Sequence, residues 1–301
     1  MIILNTREYN GYNMDDQDTM LATGDETITG GSGTVSTGTV TTGGGATTLI
    51  DSAATFVTDG VAVDDVVIVP TDNTAIAKVT SVDSETQLTT EILSGGSSYN
   101  VGDGYSVENC DSFTESSPNA RTGLILPNAS ITTSGKIGDA FNFDGNLQSI
   151  VTFGNLPAFE LGSNDFTMDA WVYPTVSFFG AIIAKYRVSI GWLFRVNGTS
   201  VDFYTGTGGI LLGSAGGTVP LNQWTHVAVV RKGNQWRLYV NGGIRDSLNS
   251  SHVVPTSNEQ LWLGRQNYQS RVLTGRIDHA RLSIGMVRWE RPFEPPARVF
   301  Y

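Results

Sequence analysis

Three histidines, one cysteine and 29 acidic residues are the groups from which this chain could assemble chemistry. Glycoside hydrolysis needs two carboxylates flanking the scissile bond, and no E-x-D-x-E or E-x-D-x-x-E run occurs. Asp165 and Asp169 are four apart, which on a strand puts both on one face but at a distance. Glu290 and Glu294 sit in a proline-rich segment. A nucleophilic serine would need a strand–turn–helix elbow, whereas Gly31-Ser32-Gly33 lies in low-complexity sequence. Of the histidines His226, His252 and His279, His226 and His279 fall within strand-like runs, where packed or edge positions are expected. Gly135-Lys136 lacks the upstream glycine of a phosphate loop. Asp15, Asp16 and Asp18 form an acidic cluster without the Gly and distal Glu of a calcium loop. Cys110 is alone, so no intrachain disulfide forms and no cysteine-based zinc pattern fits. These residues supply no catalytic set, and the expectation is a protein that binds rather than reacts.

The elements that would position such residues are strands. The chain has 301 residues, 35 of them glycine, and only 16% are charged. No window of a dozen residues keeps a 3.6-residue apolar period with caps, so very little helix is expected. No apolar run approaches 18 residues, and membrane insertion is not expected. MIILNTREYN lacks the basic region and apolar core of a signal peptide. Residues 1–120 carry 18 acids against two bases, and residues 121–301 carry 11 acids against 16 bases. The acidic part serves solubility, faces a basic partner or coordinates cations. It also repels nucleic acid, and the basic surplus is too scattered to form a phosphate-tracking groove.

In chain order, three regions are expected. Residues 1–46 read as an extended arm, because the Gly/Thr/Ser/Val run from Thr29 to Ala46 cannot bury enough apolar area to order itself. Held in place, it would lie on a sheet edge, a neighbouring chain or a larger assembly. Residues 47–109 read as a small β-barrel of about five strands: Val61–Pro70, Ile76–Val82, Gln87–Leu93 and a last strand around Tyr105–Val107 are its clearest pieces. Residues 110–301 read as an antiparallel β-sandwich. Its clearest piece is Trp224–Gly242, a hairpin turning at Lys232-Gly233-Asn234, with Trp236, Leu238 and Val240 alternating against Arg237 and Tyr239. Phe166–Pro174, Trp192–Asn197, Val201–Tyr204, Leu261–Arg265 and Arg276–Ile284 supply further strands. The fold class is therefore all-β.

The residues of the last region occur in a recognisable order: GDAFNFDG at 138–145, FTMDAWV at 166–172, WTHVAVVR at 224–231 leading into LYVNG, then LWLG and GRID. This order resembles a laminin-G-like, concanavalin A-like lectin/glucanase jelly roll. The ending IDHARLSIGMVRWERPFEPP resembles that of such domains in bacteriophage tail-fibre and virion structural proteins, through Ile277, Asp278, Arg281, Gly285, Arg288, Phe293, Pro295 and Pro296. His279 departs from it, standing where an acid is frequent. The run LIDSAATFVTDGVAVDDVVIV resembles a small β module of bacteriophage structural proteins, with Asp64 in place of the usual Gly.

The resemblance implies a non-enzymatic virion structural protein made in the host cytoplasm and displayed on the virion surface. Its first form is a capsid decoration or cement protein; the alternative is a fibre or receptor-binding protein that adheres to host surface glycans. A glycoside hydrolase is the remote third. Implied partners are the major capsid protein or tail and fibre proteins, a host glycan, and further copies of the chain in a homo-oligomer; nucleic acid is not among them. No cofactor is required, although a structural Ca²⁺ between Asp144 and Asp278 is implied, the alternative being a turn residue and a strand-end charge. For glycan contact the resemblance implies rim or face residues: Phe178, Phe179, Tyr186, Trp192 and Tyr268 to stack on sugar rings, with Arg187, Arg265 and Asn267 as polar partners. Trp171, Trp224 and Trp236 read as core.

Overall fold

A computed structural model describes residues 20–31, 33–45, 47–70, 76–94, 99–177, 179–266 and 271–297. Among the described residues strands hold 52% and helices 3%, as the missing helical period requires. The chain divides into two compact units. One comprises residues 28–112 and 124–127, and the other takes residues 113–123 and 128 onward together with the stretch before Ile28.

The first unit is an antiparallel six-stranded sheet curled into a half barrel. Its spatial order is Gly33–Thr39, Gly104–Asn109, Val66–Ile68, Ile76–Ser84, Gln87–Ser94 and Thr48–Ile50. Leu49, Phe56, Val67, Val79, Leu88 and Tyr105 are buried together at its centre. One expectation is narrowed here and another changes. The Gly/Thr run is an edge strand of its own chain's sheet, with Thr37 opposite Ser106 and Thr39 opposite Gly104. Its β-branched residues suit an extended backbone, and the edge supplies the hydrogen bonds that it cannot make alone. The strand expected over Val61–Pro70 shrinks to Val66–Ile68, because Asp64 turns the chain at φ 76° and Asp65 accepts from the Ala62 amide at 2.8 Å.

The second unit is a sandwich. One sheet runs, in spatial order, Ala129–Thr132, Ala140–Asp144, Thr274–Ile284, Phe166–Pro174, Thr225–Lys232, Gln235–Val240 and Gly243–Asn249, and Met20–Ala22 also pairs with Thr274–Ile284. The other includes Gly209–Gly213, Ser200–Thr205, Ile190–Asn197, Phe179–Arg187, Trp262–Leu263 and Val151–Thr152. Between the sheets, Phe166 meets Trp236 edge-on at 5.7 Å and Phe203 at 5.9 Å. A large apolar side chain fully buried in this way contributes roughly 1.5–3 kcal/mol. The hairpin closes on Asn241 and Gly242, both at positive φ (48° and 72°) as a tight two-residue turn demands.

Thr225–Lys232 is buried on both faces, more fully than alternation implies. The C-terminal residues are the reason. Val287, Trp289 and Phe293 pack on Ala228, Val230 and Tyr239, outside the sheet. Tyr239 donates its hydroxyl to the Trp289 carbonyl at 3.2 Å, Phe293 donates its amide to Gly242 at 3.0 Å, and Trp171 donates Nε1 to the Pro296 carbonyl at 3.0 Å. The segment from Met286 to Pro296 is thus a strap, and Gly285, Arg288, Phe293 and the two prolines belong to a structural device.

Candidate functional site

Beneath the strap lies the most chemically suggestive cluster in the molecule. Asp169 and Trp171 leave the central strand on the strap side, next to a register shift against Thr274–Ile284. Asp169 accepts from Arg281 Nε at 2.9 Å and a second guanidinium nitrogen at 3.0 Å, and from His226 Nε2 at 3.2 Å. Burial pushes the Asp169 carboxyl up, but the Arg281 guanidinium and the His226 hydrogen bond outweigh it and bring the pKa to about 2. Burial pushes the His226 imidazole down, against the pull of Asp169, so the ring is neutral and donates to the carboxylate. Trp171, Trp289 and Phe293 surround that imidazole edge-on at 5.2 to 5.9 Å. Its Nδ1 meets no nucleophile or other hydrogen-bond partner among the described residues. With all three polar residues 1% exposed, no substrate reaches them. The cluster is an interior ion pair.

An open site lies on the outward face of the other sheet. Cross-strand partners share a face: Ala184, Leu193 and Tyr204 form one row, and Ala181, Arg195 and Asp202 the next. The register shift between Ala181 and Ile183 puts both alanines on that side. The opposite side carries Trp192, Phe194 and Phe203 into the core, all 0% exposed. Because two of the outward positions are alanine, the neighbouring long side chains enclose a cleft of about 360 Å³, lined by Tyr186, Leu193, Arg195, Tyr204, Gln266 and Arg271, with Val188 and Ser189 at one end.

The polar groups of the cleft are fixed by their neighbours. Tyr186 and Tyr204 meet edge-on at 5.4 Å. Burial raises the Tyr186 phenol to about 12, with a further push from its hydrogen bond to Tyr204, so it stays neutral. Arg195 Nε donates to Asp202 Oδ1 at 2.8 Å, and Asn197 Nδ2 holds the other carboxylate oxygen at 2.8 Å. The Arg195 and Arg271 guanidinium groups lie over the same Phe179 ring, at 5.3 and 4.6 Å. Among the described residues no carboxylate lines the cleft.

The expected site residues divide accordingly. Tyr186 lines the cleft and Phe179 underlies its two arginines. Phe179 begins the strand Phe179–Arg187. Trp192 is a correction: it is fully buried between the sheets and donates Nε1 to the Phe159 carbonyl at 3.3 Å. Arg265 is also structural, 7% exposed, bonded to the Leu147 carbonyl and laid over Trp262, its pKa lowered by burial to about 10. Arg187 is exposed and pairs with Glu259 at 3.6 Å, outside the cleft lining. Phe178, Asn267 and Tyr268 lie outside the described residues. Arg195, Tyr204, Gln266 and Arg271 went unread in the sequence. For Arg195 a signal existed, since it stands as a lone charge in the largely apolar strand Ile190–Asn197.

The carboxylates expected to share calcium do not meet that role. Asp144 pairs with Thr274 across the sheet, four residues before Asp278, which separates the two along the strand. Asp278 Oδ2 accepts from the Lys136 and Ile137 amides at 2.8 Å each, and Oδ1 contacts His279 Nδ1. Asp144 Oδ1 accepts from the Asn146 amide, and Oδ2 from the Asn146 and Asn128 side chains. Each carboxylate closes a loop of the protein itself, and the pair does not fit one ion. Among the described residues no group of three or more His, Cys, Asp or Glu gathers as a metal would need.

Residues 144–286 match the family described as the concanavalin A-like lectin/glucanases superfamily. The sandwich is concanavalin A-like. No curated protein sequence matches the chain. Among solved structures, the binding domain of Paraclostridial Mosquitocidal Protein 1 aligns at 14% identity over 60% of this chain and 47% of that one, with a TM-score of 0.48. The botulinum neurotoxin serotype G binding domain aligns at 14% identity over 60% and 46%, TM-score 0.46. Domain 4 of AbnA, a GH43 extracellular arabinanase of Geobacillus stearothermophilus solved with arabinotriose, aligns at 22% identity over 58% and 87%, TM-score 0.45. The present chain spans about half the length of the toxin domains it matches.

Proposed function

We propose that the concanavalin A-like domain is a non-catalytic carbohydrate-binding module whose ligand seats in the cleft between Tyr186, Tyr204 and Arg271. The cleft carries this reading: aromatic faces suit the apolar side of a pyranose ring, while Arg, Gln and neutral phenol groups meet its hydroxyls. A cleft without a lining carboxylate supports binding over glycoside hydrolysis, which needs an acid and a second carboxylate across the scissile bond.

The finer reading, resting on the resemblance of the C-terminal run and of residues 47–109, is a virion-surface protein of a bacteriophage. Between its two forms, host adhesion through surface glycans is favoured over capsid cementing. The cleft suits a ligand, and the Gly/Thr run that suggested an arm lying along other subunits is satisfied by its own sheet. The test is an array of immobilised glycans probed with the purified chain and with Tyr204→Ala. Binding to a defined set of glycans, weakened up to about tenfold by the loss of one stacking aromatic in a variant that still melts cooperatively, is the expected result. Equal binding by the variant, or sugar release from soluble oligosaccharides, would defeat the proposal.

A further inference from the structure

We infer that the cleft selects an acidic sugar, one bearing a carboxylate, with Arg271 as the residue that reads it; this rests on the carbohydrate-binding reading above. Two guanidinium groups over one phenyl ring repel each other, so their placement calls for compensating negative charge. Asp202 provides it for Arg195 alone. It takes Arg195 Nε at 2.8 Å, and its second oxygen is held by Asn197. Arg271 has no such carboxylate: among the described residues its guanidinium contacts the Phe179 face, and no ion pair reaches it. The neighbouring arginines are otherwise committed, Arg187 to Glu259 and Arg265 to the Leu147 carbonyl. A cation left over in a cleft without lining acids is unusual in a chain of net charge −11, and it gives the site a local positive potential that general basicity does not explain.

The chemistry of the ligand follows from the shape of the group. A guanidinium presents two parallel N–H donors that match a planar carboxylate. Its place over the Phe179 ring, 4.6 Å from the centroid, holds that fork at the cleft. A carboxylate on a pyranose ring would seat there, with the ring against Tyr204 and its hydroxyls toward Gln266 and the Tyr186 phenol. A sulfated sugar shares the negative charge but not the planar fork.

The experiment compares matched neutral, carboxylated and sulfated glycans on one array, using the full chain, Arg271→Gln, Arg271→Lys and the control Arg187→Gln, with thermal melts to verify folding. The expected result is a preference of about tenfold or more for the carboxylated glycan, the worth of one charge-assisted fork. This preference should disappear in Arg271→Gln, return in part in Arg271→Lys, survive in Arg187→Gln and weaken with added salt. Equal binding of neutral and carboxylated glycans, or a preference that survives Arg271→Gln, overturns the inference and leaves the carbohydrate-binding reading standing. A preference for sulfate over carboxylate overturns the carboxylate assignment. Binding to no glycan of any class removes both.

Discussion

Asp169, His226 and Arg281 show how far a residue's apparent chemistry depends on what covers it. The types suggest acid–base work, and the strap makes them structural. Asp169→Asn should cost about 3–5 kcal/mol in urea denaturation at neutral pH, because it strands a buried guanidinium without its counter-charge. The pH dependence has a definite sign. His226 has a folded pKa below its ordinary 6.5, so the unfolded chain takes up a proton first as pH falls. The stability of the neutral ring is complete above about 6.5 and is lost below it. Asp169, at about 2 when folded against 3.8, contributes stability that is complete above 3.8 and lost from there down toward about 2. Denaturation midpoints should therefore fall from pH 7.5 to pH 5.5 and again below pH 4, and His226→Gln should flatten the first fall. A midpoint independent of pH between 7.5 and 5.5 would contradict the buried neutral imidazole.

Lys185 is the counterpart on the other sheet. Its ammonium is 0% exposed, held by Asn155 Oδ1 and the Ser257 carbonyl at 2.6 Å, the Glu259 carbonyl at 2.5 Å and Glu160 Oε1 at 3.1 Å. Lys185→Met should lose about 3 kcal/mol or more by leaving these oxygens without a donor, again read by urea denaturation.

At the scale of elements, the hairpin at Thr225–Val240 and the strap form one unit. Alternation predicts a hairpin with an apolar face and a mixed face, which is correct for its inner side. The outer side carries Ala228, Val230 and Tyr239, whose burial depends on a segment some fifty residues downstream. No local pattern announces that contact. Gly242 is where the strap touches the turn: a methyl group there would sit 1.7 Å from the Phe293 carbonyl oxygen, on a residue already at φ 72°. Gly242→Ala should cost more than the roughly 1 kcal/mol of a strained left-handed residue, because the strap must lift. Hydrogen exchange should show the amides from Trp289 to Phe293 losing protection before the sheets do. If strap and sheets keep equal protection in this variant, the strap is not the weak point described.

At the scale of the whole molecule, the acidic first third acquires an internal explanation. Asp51 accepts from the Thr39 and Ala53 amides and the Tyr105 hydroxyl, Glu85 from the Val57 and Thr58 amides, and Asp103 from the Asn100 amide. These carboxylates tie turns and edges of a short-stranded sheet, where a cation or a basic partner was also an open expectation. Chelation of divalent ions should accordingly leave the melting temperature unchanged; a clear drop would show that a calcium site exists despite the engaged Asp144 and Asp278. The Arg271 variants test the opposite property, since binding should change while the melt does not.

What the sequence determined by itself was the all-β class, most strands of the sandwich and their turns, because two-residue alternation and the Gly and Asn of turns are local properties; the concanavalin A-like resemblance came from the order of its motifs. Val61–Pro70 misled because β-propensity outweighed one aspartate at positive φ. The ligand face was decided only by tertiary structure. Trp192 and Tyr186 read alike in sequence, yet strands buried on both sides carry no mark of which side meets the core. Arg195 and Arg271, 76 positions apart, share the ring of Phe179 only because the sheet brings them there. A cleft is made by small residues and distant long ones, and neither its emptiness nor its charge exists until the strands are paired.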